Sequence, residues 1–506
     1  MTMKRIQAID VHGHYGTYVR RGDASDSFCS GDVATVVRRA RAVDIVLTIV
    51  SPLAALLPRG RADAAAGNRE AAAVVPQTPG LKQYVVIDPR RAETYAQAEE
   101  MLAQPQCVGI KIHPEEHGYP IREHAAALFE FAARHYAGTQ KVFASDARRF
   151  RSHNPNFVIL NYRLGLGLGY QSTTADCEPN GVWTEVIEGE RRLREFPDDP
   201  PEEWFFKWEG QRVFFCDWGW YVMDLGNASW GEYWAGEVLR QLQANAADGL
   251  FVDSLFPPNY FGGDRFRPHL PGMDPAFEES WSAQIEDLIA YGQRGELADY
   301  HLITNVGAWV TGRDATDYSG ADGVMVEGFA RWHEGGYFSA PDGDWQLQMD
   351  RILHLVNLDR IVLLQQYVDQ DNVRDRLFLL GSYLLVKGNH TYLNLELSAK
   401  PEWFPEYEIP IGSPLGGIPR SISSLWRSDW EVYARTYSNG MVLVNVSDQL
   451  QEVALEKTYY EALPSGGGIV PADGDISGWR VEYIPVRTLT LRPNEGAVLL
   501  TEPPAR

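Results

Sequence analysis

The chain is predicted to be α/β: a (β/α)8 TIM-type barrel with a partial (βα)4 segment before it and an antiparallel β-sandwich after it. Three observations predict this. Strand-like apolar runs alternate with helix-period runs from residue 5 to about 395, the pattern of parallel strands joined by crossover helices. Beyond residue 430 short alternating strands separated by turn residues take over. The composition also breaks near residue 140. All fifteen tryptophans of the 506 residues lie at or after Trp183, and Lys/Arg against Asp/Glu number 16 to 15 in residues 1–140 but 30 to 53 in the rest. The net charge of -22 therefore belongs to the second part.

In the front segment the strands read RIQAIDVHGH, DIVLTIVSP, LKQYVVIDP and CVGIKIHP. The helices between and after them read DVATVVRRARAV, an Ala-rich stretch, AETYAQAEEMLAQ and IREHAAALFEFAARHYA. Four βα units make half of an eight-fold barrel. The second series runs KVFAS, NFVILNYRLG, RVFFCDWGWYVMD, DGLFVDS, YHLITNVG, DGVMVEGF, DRIVLLQQY and NHTYLNL, eight strands with helical stretches between most of them. Insertions around 170–210 and 256–275, rich in Trp, Pro, Gly and acids, suit loops at the catalytic face of a barrel. The expected divisions are 1–136 for the partial βα domain, 137–400 for the barrel, 401–425 for a linker or rim loop, and 426–506 for the β-sandwich.

Composition limits the function. No run reaches the roughly 18 apolar residues of a membrane span, and the N-terminal residues lack the apolar core of a signal peptide. A cytoplasmic protein with no membrane partner is expected. The acidic balance argues against nucleic acid as a partner, because phosphate binding needs Lys/Arg-rich patches. Cys29, Cys107, Cys177 and Cys216 are widely spaced and read as reduced thiols. The oligomeric state is not readable.

Barrel chemistry sits at the carboxyl ends of strands. DGLFVDS ends in Asp253 and DGVMVEGF in Glu327, each built as Asp-Gly, an apolar run and a carboxylate. Two carboxylates on strands two apart face one pocket, the pair that glycosidic bond cleavage requires. Other strand ends offer Asn161, Tyr162, Arg163, Asp217, Trp218, Asp224, Asn305, Gln365, Gln366, Tyr367 and Asn394, and Trp220, Trp309 and Trp332 lie at or beyond strand ends. Amides and phenols bind hydroxyl-rich ligands directionally, and indole faces stack on sugar rings. Tyr162, Arg163, Asp217, Trp218, Asp224, Asn305, Trp309, Trp332, Gln365 and Tyr367 are the expected substrate-binding set, for an oligo- or polysaccharide.

The blocks NPNFVILNYRLGLG, DWGWYVMDLGNASWGEYWAGEVLRQLQANAADGLFVDS and DGVMVEGF resemble the glycosyl-hydrolase-like barrels of hypothetical family fifteen, themselves similar to α-galactosidase and α-glucosidase barrels. The resemblance covers roughly residues 141–505. It implies Asp253 as nucleophile, or base, and Glu327 as general acid, with no cofactor.

The first strand ends Asp10-Val-His12-Gly-His14, and alternate strand residues share a face, so His12 and His14 are candidate ligands for zinc or a similar divalent metal. With Lys111-Ile-His113 ending the fourth strand, residues 5–136 resemble the first half of an amidohydrolase-superfamily barrel. That resemblance implies a metal-dependent hydrolase or decarboxylase as the alternative activity. The later-strand histidines of that family have no counterpart here, and its aspartate only Asp146, if KVFASDARRF is read as a displaced last strand. A third reading is a non-catalytic carbohydrate-binding protein.

Overall fold

A parallel strand buried on both faces needs apolar residues throughout, and only its carboxyl end is free to carry polar groups. The parallel strands of the second half of this chain follow that rule closely. The computed structural model describes residues 8–18, 31–57, 62–88, 91–113, 126–142, 144–172, 177, 179–188, 192–195, 200–332, 336–338, 343–395 and 400–504. Cys29 and the first five residues of the helix expected from residue 121 lie outside these. The chain divides into two units, residues 1–126 and 127–506.

In the first unit, β1 (Ala8–Tyr15), β2 (Ile45–Pro52), β3 (Leu81–Ile87) and β4 (Cys107–Ile112) pair in parallel in that order. Helices α1 (Val33–Ala42), α2 (Ala64–Val74) and α3 (Ala92–Leu102) connect them. Asp32 and Asp63 cap the first two by accepting the N–H of Thr35 and Ala66. Asn68 of α2 pairs both ways with the backbone of Val86, at 2.8 Å each way, locking helix to sheet.

The second unit is built on a curled parallel sheet of seven strands: β5 (Gly138–Gln140), β6 (Val158–Leu164), β7 (Gly249–Asp253), β8 (His301–Asn305), β9 (Gly323–Glu327), β10 (Ile361–Gln365) and β11 (Thr391–Asn394), in sequential order. Inward-pointing Val158, Leu160, Tyr162, Phe251, Ile303, Met325, Ile361 and Leu363 form one apolar cluster. Residues alternating with them, such as Leu250, Val252, Leu302, Val324, Val326 and Leu364, join the main core against the helices. The repeated Asp-Gly entrance has a structural cause. Asp248 accepts Ile159 N–H and Asp322 accepts Leu302 N–H, each closing a neighbouring strand's start. A Cβ on Gly249 or Gly323 would lie 2.5 Å from His301 O or 2.2 Å from Ile361 O, so only glycine fits beside the adjoining strand.

Two expected strands are corrected. The first parallel strand is Gly138–Gln140; the KVFAS run instead leads into the helix Ala144–His153, with Lys141 at φ 60 making the turn. The run RVFFCDWGWYVMD gives no parallel strand. Its two apolar halves, Phe214–Phe215 and Trp220–Val222, form an antiparallel hairpin. That hairpin joins Phe266–Arg267, Gly167–Ser172, Pro179–Glu188 and Arg192–Glu195 in a six-stranded antiparallel sheet. This cap sheet springs from the carboxyl ends of β6 and β7, since Gly167 follows β6 closely and Phe266 lies in the segment after β7.

The reading of all thiols as reduced is overturned as well: Cys177 and Cys216 form a disulfide across the cap, while Cys107 is free and buried. Among the described residues no helix is long and apolar enough to cross a membrane.

After residue 425, β12 (Trp426–Arg427), β13 (Val432–Tyr437), β14 (Gly440–Asn445), β15 (Gln451–Ser465), β16 (Arg480–Leu491) and β17 (Glu495–Leu500) make one continuous antiparallel sheet, ordered β12-β13-β14-β17-β15-β16. It folds over itself. Val453, Leu455, Leu489 and Leu491 close on Val432, Leu443, Ala497 and Leu499, giving a sandwich-like core from a single ladder. The other face meets the buried helix Val373–Val386.

From that helix Arg376, 1% exposed, pairs with fully buried Glu406 and donates to Gln370 O and Gly466 O. Removing one partner leaves an uncompensated buried charge. Arg376→Met is expected to cost about 3–5 kcal/mol in urea denaturation. A loss of under about 1 kcal/mol would show that the junction does not depend on the pair.

Candidate active site

Register sets the site. Asn305 pairs in the ladder with Met325, and Glu327 with Gln365 and, through it, Asn394. Val252 pairs with Thr304, which puts Asp253 level with Asn305. Asp253 and Glu327 thus flank the strand of Asn305, with Glu327 two residues nearer the mouth.

The Asn305 amide joins them. Its Nδ2 donates to Asp253 Oδ1 at 2.8 Å and to Glu327 Oε2 at 2.7 Å. Its Oδ1 accepts Gly307 N–H at 3.0 Å, which fixes the amide's orientation. Because one nitrogen touches both acids, their near oxygens are at most 5.5 Å apart, the two bonds laid end to end. Asp253 Oδ1 also accepts Ser254 N–H at 2.8 Å, and Oδ2 accepts the Tyr162 hydroxyl at 2.9 Å. Glu327 Oε1 accepts the Tyr367 hydroxyl at 2.8 Å. Asn394 donates to Gln365 Oε1 at 2.8 Å beside them. The Lys141 ammonium lies 4.6 Å from the centre of the Tyr162 ring.

The sequence of the matched region decides the family. The profile of hypothetical glycosyl hydrolase family 15 matches residues 151–441, more than half of the chain and the whole of this constellation apart from Lys141. The chain belongs to that family. Membership of this family points to a carbohydrate substrate, and glycoside hydrolases of this kind need no cofactor. Among solved structures the chain is similar to the glycoside hydrolase domain of PelA from Pseudomonas aeruginosa, with 16% identity over 53% of this chain and 90% of that one and a TM-score of 0.34. It is also similar to an α-amylase from Geobacillus thermoleovorans, with 12% identity over 98% and 99% of the two chains and a TM-score of 0.30. No curated protein matches the chain in sequence.

The expected binding set divides. Tyr162, Asn305, Gln365 and Tyr367 converge on the acids. Trp218, 70% exposed, and Trp332, 48% exposed, stand out on the cap hairpin tip and on the segment after β9. The remaining residues read at strand ends lie elsewhere. Trp309 is buried, edge-on to Tyr318 and under Arg351, so its faces are occupied by protein. Trp220 is likewise buried, within the cap. Arg163 belongs to the outer face of β6, with Ile159 and Asn161, whose amide meets Gln241 and Asn245 of the helix Ala228–Asn245. Asp217 pairs with Arg265 at 3.1 Å, and Asp224 accepts Gly226 N–H in the turn entering that helix, its carboxyl pushed up by burial. Neither meets the acids through a described bond. Gln366 is buried on the outer face and holds Phe329 O and Arg331 O.

Lys141 and Ser254 were missed. Lys141 was masked by reading KVFAS as a strand, and Ser254 contributes only its backbone.

In the first unit the histidines gather without forming the expected metal centre. Ring centres of His12 and His14 lie 5.1 Å apart, and those of His14 and His113 6.2 Å. The ladder is irregular between Asp10 and Gly13, which breaks the simple alternation of Asp10, His12 and His14, and His14 Nδ1 faces Ser51 O at 3.1 Å. Among the described residues no group of three or more His, Cys, Asp or Glu is placed to hold a metal. Burial, then the Lys111 ammonium, hold the His14 imidazolium down to about 4 from its usual 6.5. The unfolded chain therefore takes up this proton first as pH falls. Stability is expected to decline between about pH 6.5 and 4, and His14→Gln to flatten that decline in denaturation curves. An unchanged slope in the variant would rule His14 out as its source.

Proposed function

We propose that the chain is a retaining glycoside hydrolase in which Asp253 is the nucleophile and Glu327 the general acid and then base. The observation that carries this is the shared Asn305 amide, which keeps the near carboxylate oxygens within 5.5 Å. Near oxygens this close favour the carboxyl separation of retaining enzymes, about 5–5.5 Å, over the roughly 6.5–9.5 Å by which inverting ones leave room for a water. The depth order supports the roles: Asp253 is the deeper group, and Glu327 stands nearer the mouth, where a leaving group departs.

In the first step an Asp253 oxygen attacks the anomeric carbon. The glycosidic C–O bond breaks toward the leaving oxygen, which takes the proton of Glu327. In the second, Glu327 removes a proton from water. The water oxygen attacks the anomeric carbon and the ester bond to Asp253 breaks, restoring both acids. Gln365 and Asn394 serve the sugar hydroxyls, and Trp218 and Trp332 offer indole faces at the rim. The curled sheet serves as the (β/α)8-type scaffold, with one strand position given over to the cap. The Cys177–Cys216 disulfide favours an oxidising compartment over the cytoplasm.

Asp253→Asn is expected to abolish hydrolysis of whichever 4-nitrophenyl glycoside or polysaccharide the wild type cleaves, with Tm nearly unchanged. Proton NMR of the first-formed sugar is expected to show retained anomeric configuration. Inverted product, or full turnover by Asp253→Asn, would overturn the assignment.

A further inference from the structure

We propose that Tyr162 and Tyr367 are matched positioning residues, each governing one carboxylate, and that Glu327 carries its transferable proton on the oxygen facing Tyr367. The role of that proton rests on the glycosidase reading above; the pairing of phenol with carboxylate does not.

The argument is one of hydrogen-bond valence. The Asn305 amino group is a donor only, and both its hydrogens are used, one on Asp253 Oδ1 and one on Glu327 Oε2. A proton directed along either of those bonds would face an N–H that cannot accept it. The outer oxygens face phenols instead: Tyr162 on Asp253 Oδ2 and Tyr367 on Glu327 Oε1. A phenol hydroxyl donates to a carboxylate and, after rotating, accepts from a carboxylic acid. Of the described bonds to the two acids outside the backbone, only those to the phenols can therefore reverse to hold a proton.

The two ends are not equivalent. Asp253 accepts three hydrogen bonds, one of them from the backbone N–H of Ser254, and Glu327 accepts two. Donors favour the charged form of a carboxylate, so the shared site places the anion on Asp253 and the proton on Glu327. The surrounding charges act in the same sense. The Lys141 ammonium lies over the Tyr162 ring, on the Asp253 side, while the two carboxylates face each other across Asn305. A negative Asp253 makes a second negative charge on Glu327 unfavourable.

The test uses the full chain, labelled with carbon-13 at Asp and Glu side-chain carboxyls. The two signals are assigned by their loss in Asp253→Asn and Glu327→Gln. In Tyr367→Phe the Glu327 signal is expected to titrate about half to one pH unit higher than in the wild type, the difference between a hydrogen bond to a charged oxygen and one to a neutral acid, with Asp253 little moved. Tyr162→Phe is expected to do the reverse. If each variant moves both signals alike, or neither, the pairing is overturned.

Should either Phe variant fold poorly, 3-fluorotyrosine in the otherwise unchanged chain supplies the readout. The fluorine signal of residue 367 follows the Glu327 titration, and that response vanishes in Glu327→Gln; a fluorine signal blind to Glu327 overturns the proposal. The pH–rate profile on a cleaved 4-nitrophenyl glycoside then separates the two claims. Tyr367→Phe should move the alkaline limb upward. Movement of the acid limb instead removes the proton from Glu327. Correct titrations in a chain that cleaves no glycoside would leave the pairing standing and defeat the hydrolase reading alone.

Discussion

A primary amide carries its two donor hydrogens on one nitrogen, and in this chain both are committed to carboxylates from the two neighbouring strands. Neighbouring strands lie about 4.8 Å apart, so acids two strands apart start nearly 10 Å from each other at the backbone. They converge because the shorter Asp253 is level with Asn305, while the longer Glu327 reaches back from two residues nearer the mouth. A shorter aspartate at 327 would not reach back to the same amide. The Gly307 N–H bond to Asn305 Oδ1 completes the constraint, since a flipped amide would turn an acceptor toward two anions.

That constraint has a foundation in the sheet. The inward layer beneath it is apolar, with Tyr162, Phe251, Ile303 and Met325 in mutual contact. Water has no polar partner there, so the polar groups of the top layer satisfy one another. Each strand start is closed in turn by Asp248 or Asp322, with glycine at the point where the next strand comes closest. The repeated Asp-Gly followed by an apolar run and an acid is thus two devices on one strand: register at the entrance, and at the exit an acid held by the shared amide.

Asp253 and Glu327 were legible in the sequence because a carboxylate after an uninterrupted apolar run has few structural reasons to be there. The cap was not. Short antiparallel hairpins and buried parallel strands share apolar runs, and RVFFC and WYVMD differ from a barrel strand only in the turn between them. Trp309 could not be told from Trp218 by position, since one indole lies inside its loop and the other outside it. Arg163 was decidable: strict alternation from Tyr162 assigns it to the outer face. The disulfide was hidden by 39 residues of separation, which no local spacing rule reads.

The cap and Asp253 are mechanically one piece. Strand β6 delivers Tyr162 to Asp253 and continues through Gly165 into the first cap strand. Gly165 N–H donates to Asp253 O at 2.7 Å on the way. The hairpin tip bearing Trp218 is fastened by the disulfide at Cys216, by Cys216 N–H on Arg265 O, and by the Asp217–Arg265 pair. A lid hinged at this junction would break the bond that orients the backbone of Asp253 each time it opened. The cap is therefore better suited to a fixed wall than to a gate.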